Sequence, residues 1–335
     1  MDWTIFSFLL ADGLQNGTIY ALLALCLVLV FAVTRVILVP LGELLMFAPL
    51  SYALLLQGQF PGTAWLSAAM LVLWAILDRS RLRLALGLLL LAGAVLGLAY
   101  WGSHGAPGWV AWFLGVLIVL PMGPATYRLF FEPLPRGTVL VYLILAVGLH
   151  FVYQGLGLVF FGPEQYRPPA LLSGEATLGM LPLPRQAFVV YAFALAVMLA
   201  LYFFFTRSLY GKALRACAVN RLGARISGIN PSEAGRVAFL LATLIATVSG
   251  MLIAPLVNAA YFMGFLLGLK GFVAGILGGL ISYPMAVGGA LVVGLLESYS
   301  SFAASAYKEA IVFALLLPVL FWRSLRTLEL GGEEE

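Results

Sequence analysis

Charge is scarce in this sequence. Of 335 residues, 10% are Asp, Glu, Lys or Arg, against about 25% in ordinary soluble domains. So few charges cannot coat a globular surface of this size, which excludes a soluble fold. Cysteine and histidine are nearly missing as well, with two of each. Cys26 lies in an apolar run and Cys217 in a basic connector, so no structural disulfide is expected. Metal-ligand spacing is lacking, and neither a metal nor a cofactor is expected. His-x-x-x-His, Gly-x-Ser-x-Gly and paired carboxylates do not occur, which leaves an intramembrane enzyme without a catalytic group. There is no Gly-x-x-x-x-Gly-Lys-Ser/Thr phosphate loop either, so any ATP would be handled by another polypeptide.

What the chain does have is apolar length. Hydrophobic residues make up 63% of it, with a mean hydropathy of +1.06. Apolar stretches of about 20 residues recur from end to end, enough to cross about 30 Å of hydrocarbon at about 1.5 Å per residue. Runs such as "ALLALCLVLVFAV" and "AFALAVMLALYFFF" do not alternate, which excludes a β-barrel. The expected fold is all-α: a polytopic transmembrane helical bundle of about nine to eleven spans, forming a single transmembrane domain over 1–335. Candidate spans are 15–34, 41–57, 62–78, 84–101, 108–127, 138–161, 187–206, 236–257, 265–281, 284–303 and 306–322.

The basic residues set the expected topology. The connector 206–236 holds Arg207, Lys212, Arg215, Arg221, Arg225 and Arg236 against Glu233 alone, so it is read as cytoplasmic. Counting outward puts Arg35, the "RSRLR" cluster at 79–83, Arg128, Arg136, Arg323 and Arg326 on the same side. Basic residues lying between spans explain the net charge of +4 without any nucleic-acid partner. The N-terminus is then outside, the C-terminus cytoplasmic and 162–186 an external loop. The first residues carry Asp2 and Asp12 but no Lys or Arg, unlike a cleaved secretory signal, and are expected to stay in the mature protein. The acidic tail 328–335 is expected to be disordered.

A few polar residues sit where lipid depth makes them costly. Glu43 follows Pro40 and Gly42 at a broken entry to the second span, and either lines a path or rests at the cytoplasmic interface beside Arg35. The charge count favours an inner-end element of the path over a mid-membrane group. His150 and Gln154 share a helix face and could meet a solute or a neighbouring helix. Glu297 is read first as bonded to a neighbouring helix, and Lys270 as snorkelling or paired. Five glycines between 268 and 279 are read as close helix packing ahead of a re-entrant path.

The connector is the most informative segment. Gly228 is a natural helix stop, Asn230 an N-cap, Pro231 a first helical residue and Glu233 the partner in a capping box. Over about 216–228 one short helix is expected, with Val219, Leu222 and Ile226 on one face and Arg221 and Arg225 beside them. Such an element lies on anionic lipid or meets a soluble partner.

Thr206, Arg207, Gly211, Arg215, Ala216, Ala218, Ala224 and Gly228-Ile229-Asn230 resemble the T-R-x-G-x-x-x-R-A … G-I-N loop of LivH-type permeases, the inner-membrane subunits of branched-chain amino-acid ATP-binding-cassette importers. The spacing before Gly211 is longer here. Gly42 and Glu43 match that family's I-N-F-A-H-G-E segment, while Leu38 and Leu41 replace its Asn and His. "YRLFFEPLPRG" and "LILAVGLHFVYQG", with Gly148, Leu149 and Gln154, are similar to two further family segments. Gly278, Gly279, Ser282, Ala286, Gly288, Gly289, Gly294 and Glu297 follow its C-terminal glycine run, with Ile281 and Met285 in place of two glycines. Residues 62–101 have no counterpart and look like an inserted helix pair.

The resemblance implies a permease subunit of an importer in a bacterial-type cytoplasmic (inner) membrane, not itself an enzyme. It implies a second, LivM-type permease chain, two cytoplasmic ATPase subunits and an external solute-binding protein as partners. Arg215, Ala218, Val219, Leu222, Ile226 and Gly228 would form the ATPase-coupling element. Glu43, Gly42, His150, Gln154 and Glu297 are the candidate pathway residues. The implied cargo is a branched-chain or other aliphatic amino acid, with urea and short amides as branches of the class. The competing reading is an ion-coupled secondary transporter of a small solute, for which Glu297 is the candidate coupling acid.

Overall fold

In hydrocarbon every backbone N–H and C=O must find a partner within the protein, and long apolar runs answer by becoming helices. The computed structural model describes residues 3–134, 137–178, 181–280, 282–314, 317–318 and 321. In chain order its helices are α1 (Trp3–Thr34), α2 (Leu41–Leu56), α3 (Gly62–Leu77), α4 (Leu82–Ser103) and α5 (Gly108–Val119). After α6 (Met122–Thr126) and a π-helical turn at Tyr127–Phe131 come α7 (Val139–Phe161), α8 (Arg185–Arg207), α9 (Leu209–Val219) and α10 (Arg221–Ile226). The last four are α11 (Pro231–Val257), α12 (Met263–Leu277), α13 (Tyr283–Ala304) and α14 (Lys308–Ala314). Among the described residues, seven helical runs are long and apolar enough to cross a membrane, and α2, α3 and α12 are shorter apolar helices. This is the expected all-α polytopic bundle.

Three boundaries differ from expectation. The first helix already runs from Trp3, about 48 Å of helix in all, with Gly13 kept helical where it packs against Leu295 of α13. The span expected over 306–322 is reached through a break at Ala304 (φ −154°, ψ 69°) and a 3₁₀ turn at Ser305–Tyr307, after which α14 packs back on α13. The segment 162–186, expected as an external loop, contains an antiparallel hairpin, Glu175–Leu178 with Leu181–Pro184, and Tyr166 bridges to Ala259. Gln186 ties this segment down: its Oε1 accepts from the Leu171 and Leu172 amides at 3.1 and 3.3 Å, and its Nε2 donates to the Leu252 carbonyl at 2.8 Å. The expectations for Arg136, Ile281, Arg323, Arg326 and the acidic tail 328–335 lie outside the described residues.

α1 and α2 form the centre. Residues Ile19 to Val30 are buried on every side of α1, and α2 is buried from Leu41 to Leu55. An all-round apolar helix belongs inside. Around them stand α11, α12 and α13, with α5 and α7 against α2 and α8 against α1. The outer helices bury a single stripe. On α4 that stripe is Ala85, Leu88, Ala92, Val95 and Ala99, while Leu86, Leu89, Leu90 and Leu98 face out. Small side chains inside and leucines outside are the packing expected where lipid is as apolar as the core. The pair α3 and α4, expected as an insertion, packs together, and α3 also reaches α5 and α6 with Thr63 and Ser67 buried.

Between α1 and α2 the chain is not helical. Arg35 has φ 62°, Val39 N–H turns back to the Ile37 carbonyl at 2.9 Å, and Val36 and Leu38 are buried. Unwound backbone of this kind survives at membrane depth only under protein cover. α2 and α12 meet beside this segment at Gly42 and Gly264, where a Cβ on either would fall on the other's backbone. Of the five glycines expected to pack helices, Gly271 lies close against Leu23 of α1 and Gly278 against Ala286 of α13, while Gly279, at φ 78°, turns the chain.

Candidate functional site

Glu43 sits in the first turn of α2, fully buried, with His150 Nδ1 at 2.7 Å from its Oε1. His150 is 3% exposed and its ring stacks on Phe265 of α12 at 4.3 Å between centroids. Two of the candidate pathway residues, distant in sequence, are therefore one hydrogen-bonded pair joining α2, α7 and α12. Either the imidazole N–H donates to the carboxylate or the carboxyl O–H donates to the ring nitrogen. Glu43 Oε2 has no hydrogen-bond partner among the described residues.

The pair lies halfway along a helix and away from Arg35. His150 is eleven residues from either end of α7 (Val139–Phe161), about 16 Å each way, which is the middle of a span. Glu43 must share that depth. Arg35 does not solvate it: its Nη2 donates to the Ala218 carbonyl at 3.2 Å and its guanidinium lies over the Phe31 ring at 5.7 Å. The chain climbs from Arg35 through the unwound residues to a helix that starts in the bundle interior. An acid in that first turn is favoured by the positive end of the helix dipole. Gly42 is occupied by close contact with Gly264. Gln154 stands half-buried one turn beyond His150 and outside the pair.

Glu297 belongs to a second buried cluster. Lys270 Nζ of α12 lies 2.5 Å from Glu297 Oε1 on α13 and 3.1 Å from Glu309 Oε1 on α14. Tyr20 of α1 donates its hydroxyl to Glu297, and the Lys270 ammonium lies over the Tyr20 ring. Glu297 thus takes the interhelical bond expected of it. Lys270 takes the pairing expected of it, and Tyr20 is a partner that nothing in the sequence singles out. For Lys270 the signal was present in the composition: lone charges of opposite sign in adjacent spans pair when the spans pack.

On the basic connector the structure has two helices where one was expected. Asn220 (φ −148°, ψ 103°) ends α9 and starts α10, its Oδ1 accepting from the Gly223 amide at 2.9 Å. A free Asn side chain competes for the backbone and breaks the run. α10 then stops as expected at Gly228, with φ 83°. The Gly228 and Ile229 amides close on the Arg225 and Ala224 carbonyls at 3.1 and 2.9 Å. Asn230 caps α11 by accepting from the Ser232 amide at 3.1 Å.

The corner between α9 and α10 exposes its apolar side chains. Val219 is 83%, Leu222 69% and Ile226 79% exposed, while Gly211, Leu214, Cys217 and Ala224 face the bundle. Arg215 and Gly228 are exposed and Ala218 half-buried. Both cysteines are free and buried. Nearby, Arg128 grips Asp78 with Nη2 to Oδ1 at 2.7 Å and Nε to Oδ2 at 3.1 Å, and Trp74 Nε1 donates to Oδ2 at 2.7 Å. This guanidinium bond holds the Asp78 carboxyl below the usual carboxylate range.

A many-span helical bundle with a broken helix at its centre and charges paired in its interior is a polytopic membrane protein. The family model for the permease component of branched-chain amino acid transport systems matches residues 9–320, and the chain belongs to that family. It is 30% identical over 224 residues to the high-affinity branched-chain amino acid transport system permease protein LivH of Escherichia coli strain K12, covering 64% of this chain and 73% of LivH. BraD of Pseudomonas aeruginosa, a permease protein of the same description, is 28% identical over 222 residues, covering 64% of this chain and 72% of BraD. One solved chain, from PsaBC of Streptococcus pneumoniae in complex with Fab, aligns over 93% of this chain and 90% of its own at 14% identity, with a TM-score of 0.34.

Proposed function

We propose that this chain is a permease subunit of an ATP-driven importer for branched-chain or other aliphatic amino acids, working in a bacterial inner membrane with its N-terminus outside and its C-terminus in the cytoplasm. Its partners are a second, LivM-type permease chain, two cytoplasmic ATPase subunits and an external solute-binding protein. The cargo is taken from what LivH and BraD are named for. The carrying observation is the α9–α10 corner, where three apolar side chains at 69–83% exposure sit on a basic element outside the spans. Exposed Val, Leu and Ile grouped this closely mark a surface that a protein or lipid covers, and the family match favours a protein.

Closure of the ATPase subunits against this corner would move it with α11, which α9 and α10 contact directly. Because Asn220 divides the element, the unit that moves is the corner itself. Coupling needs a contact that differs between two states of the complex, and the apolar trio supplies it. The test is Leu222→Asp and Ile226→Asp in the assembled complex, read as amino-acid-stimulated ATP hydrolysis. Loss of stimulation with intact assembly supports the reading, and unchanged stimulation overturns it. A purified single chain that moves solute down an ion gradient without ATP would favour the secondary transporter instead.

A further inference from the structure

The inner ends of α1 and α8, the last turns of α9 and the start of α13 enclose a crevice of about 530 Å³. Its walls are apolar: Val33, Leu201, Phe205, Leu214 and Tyr283 face it, and Phe205 stacks on Tyr283 at 5.5 Å. Two guanidinium groups, Arg35 and Arg215, line it, and no acid does. Arg35 is held there by unusual backbone, φ 62°, and by one bond to the Ala218 carbonyl, which leaves most of its five donors free. Tyr202, 64% exposed, stands at the same level as an interfacial aromatic.

We propose that this crevice binds one anionic phospholipid of the cytoplasmic leaflet, with an acyl chain among Val33, Phe205, Leu214 and Tyr283 and the phosphate against Arg35 and Arg215. The orientation rests on the reading above, in which α9 and α10 are cytoplasmic. Charge identifies the occupant. A zwitterionic amino acid would need an acceptor for its ammonium group, and the lining contains no carboxylate. A neutral lipid would leave both guanidinium groups, exposed at the mouth of the crevice, to water alone, whereas an anionic headgroup adds a charge-assisted contact to each. Basic pockets between spans on the cytoplasmic side suit an anionic headgroup, where the leaflet supplies the ligand at high local concentration.

The complex of this chain with its partner subunits, purified in detergent, would be titrated with phosphatidylglycerol, with phosphatidylcholine of the same acyl chains, and with glycerol 1-phosphate. Retained lipid is read by native mass spectrometry. Each basic side chain near the surface favours an anionic lipid about fivefold, so two predict a preference for phosphatidylglycerol of about thirtyfold. Arg35→Gln/Arg215→Gln should abolish that preference. Ala32→Trp, which fills the crevice and leaves both arginines in place, should lower retention of both lipids at least about tenfold. A photoreactive acyl chain on phosphatidylglycerol should label the peptide containing Tyr202 and Phe205. Equal retention of the two lipids by the unaltered complex, labelling elsewhere, or crosslinking of a Tyr202→Cys variant to a second permease chain would overturn the site. Competition by glycerol 1-phosphate as strong as by the lipid would assign the arginines to a free phosphate instead. Amino-acid-stimulated ATP hydrolysis, measured on the same preparation in phosphatidylcholine, separates a failed lipid site from a failed transport reading.

Discussion

Removing His150 should strand Glu43 in the bundle interior. In the folded protein the carboxyl is fully buried, one oxygen bonded to His150 at 2.7 Å and the other without a partner among the described residues. His150→Ala takes away that single bond, and for an ionised pair breaking it from one side costs about 3–5 kcal/mol. The ring also stacks on Phe265, which adds about 0.5–1.5 kcal/mol. A loss of about 4–6 kcal/mol is therefore expected. Glu43→Gln keeps the shape and a neutral hydrogen bond, so it should cost only about 1 kcal/mol. In the double variant the group left unsatisfied is an amide, at about 1–3 kcal/mol, and with the lost stacking the total is about 2–4 kcal/mol. The double variant should thus be more stable than His150→Ala alone. Reversible unfolding in mixed detergent and SDS micelles gives all three values. A His150→Ala cost below about 1 kcal/mol, or a double variant less stable than His150→Ala, would refute the buried pair.

Three further outcomes follow from other contacts. Lys270→Met leaves Glu297 and Glu309 side by side without their cation, so it should cost about 3–5 kcal/mol, partly restored by adding Glu297→Gln. Hydrogen exchange should then rise in α14, which Glu309 tethers to α12. Gly264→Ala places a methyl group on the Gly42 backbone, which cannot rotate away as a side chain could. The expected cost is about 1–3 kcal/mol, read by the same unfolding measurement, with no loss if α2 and α12 do not touch. Asp78→Asn should cost about 1–2 kcal/mol at neutral pH, since a charge-assisted bond with Arg128 becomes a neutral one. Because Asp78 titrates below its unfolded value of about 3.9, its contribution is present above that pH and lost as pH falls through the folded value. The gap between the two proteins should therefore shrink in acid. A gap unchanged between pH 7 and strongly acid solution would sink the assignment.

Some of this was written along the chain. Hydropathy and length are sums over neighbouring residues, so the apolar runs announced an α-helical membrane bundle before any packing was known. Helix ends are equally local, which is why Gly228, Asn230 and Pro231 fell where stop and start signals put them. Asn220 shows the limit of such signals. The same residue type that caps a helix also splits one, and a six-residue helix after it left no periodicity to reveal the split.

The tertiary structure alone decided which side chains meet. Glu43 is eight residues from Arg35, and counting charges along the chain drew it to the interface. Beyond an unwound stretch its partner is His150, halfway along α7 and over a hundred residues away. Lys270, Glu297 and Tyr20 meet only because α12, α13 and α1 pack side by side. In a helix that is apolar on every face no period distinguishes core from lipid, so α4 could not say that its alanines turn inward. Composition settles what a segment costs to place in a membrane, because transfer free energies add residue by residue. Pairing depends on which helices become neighbours, and that is a property of the folded bundle, not of any segment within it.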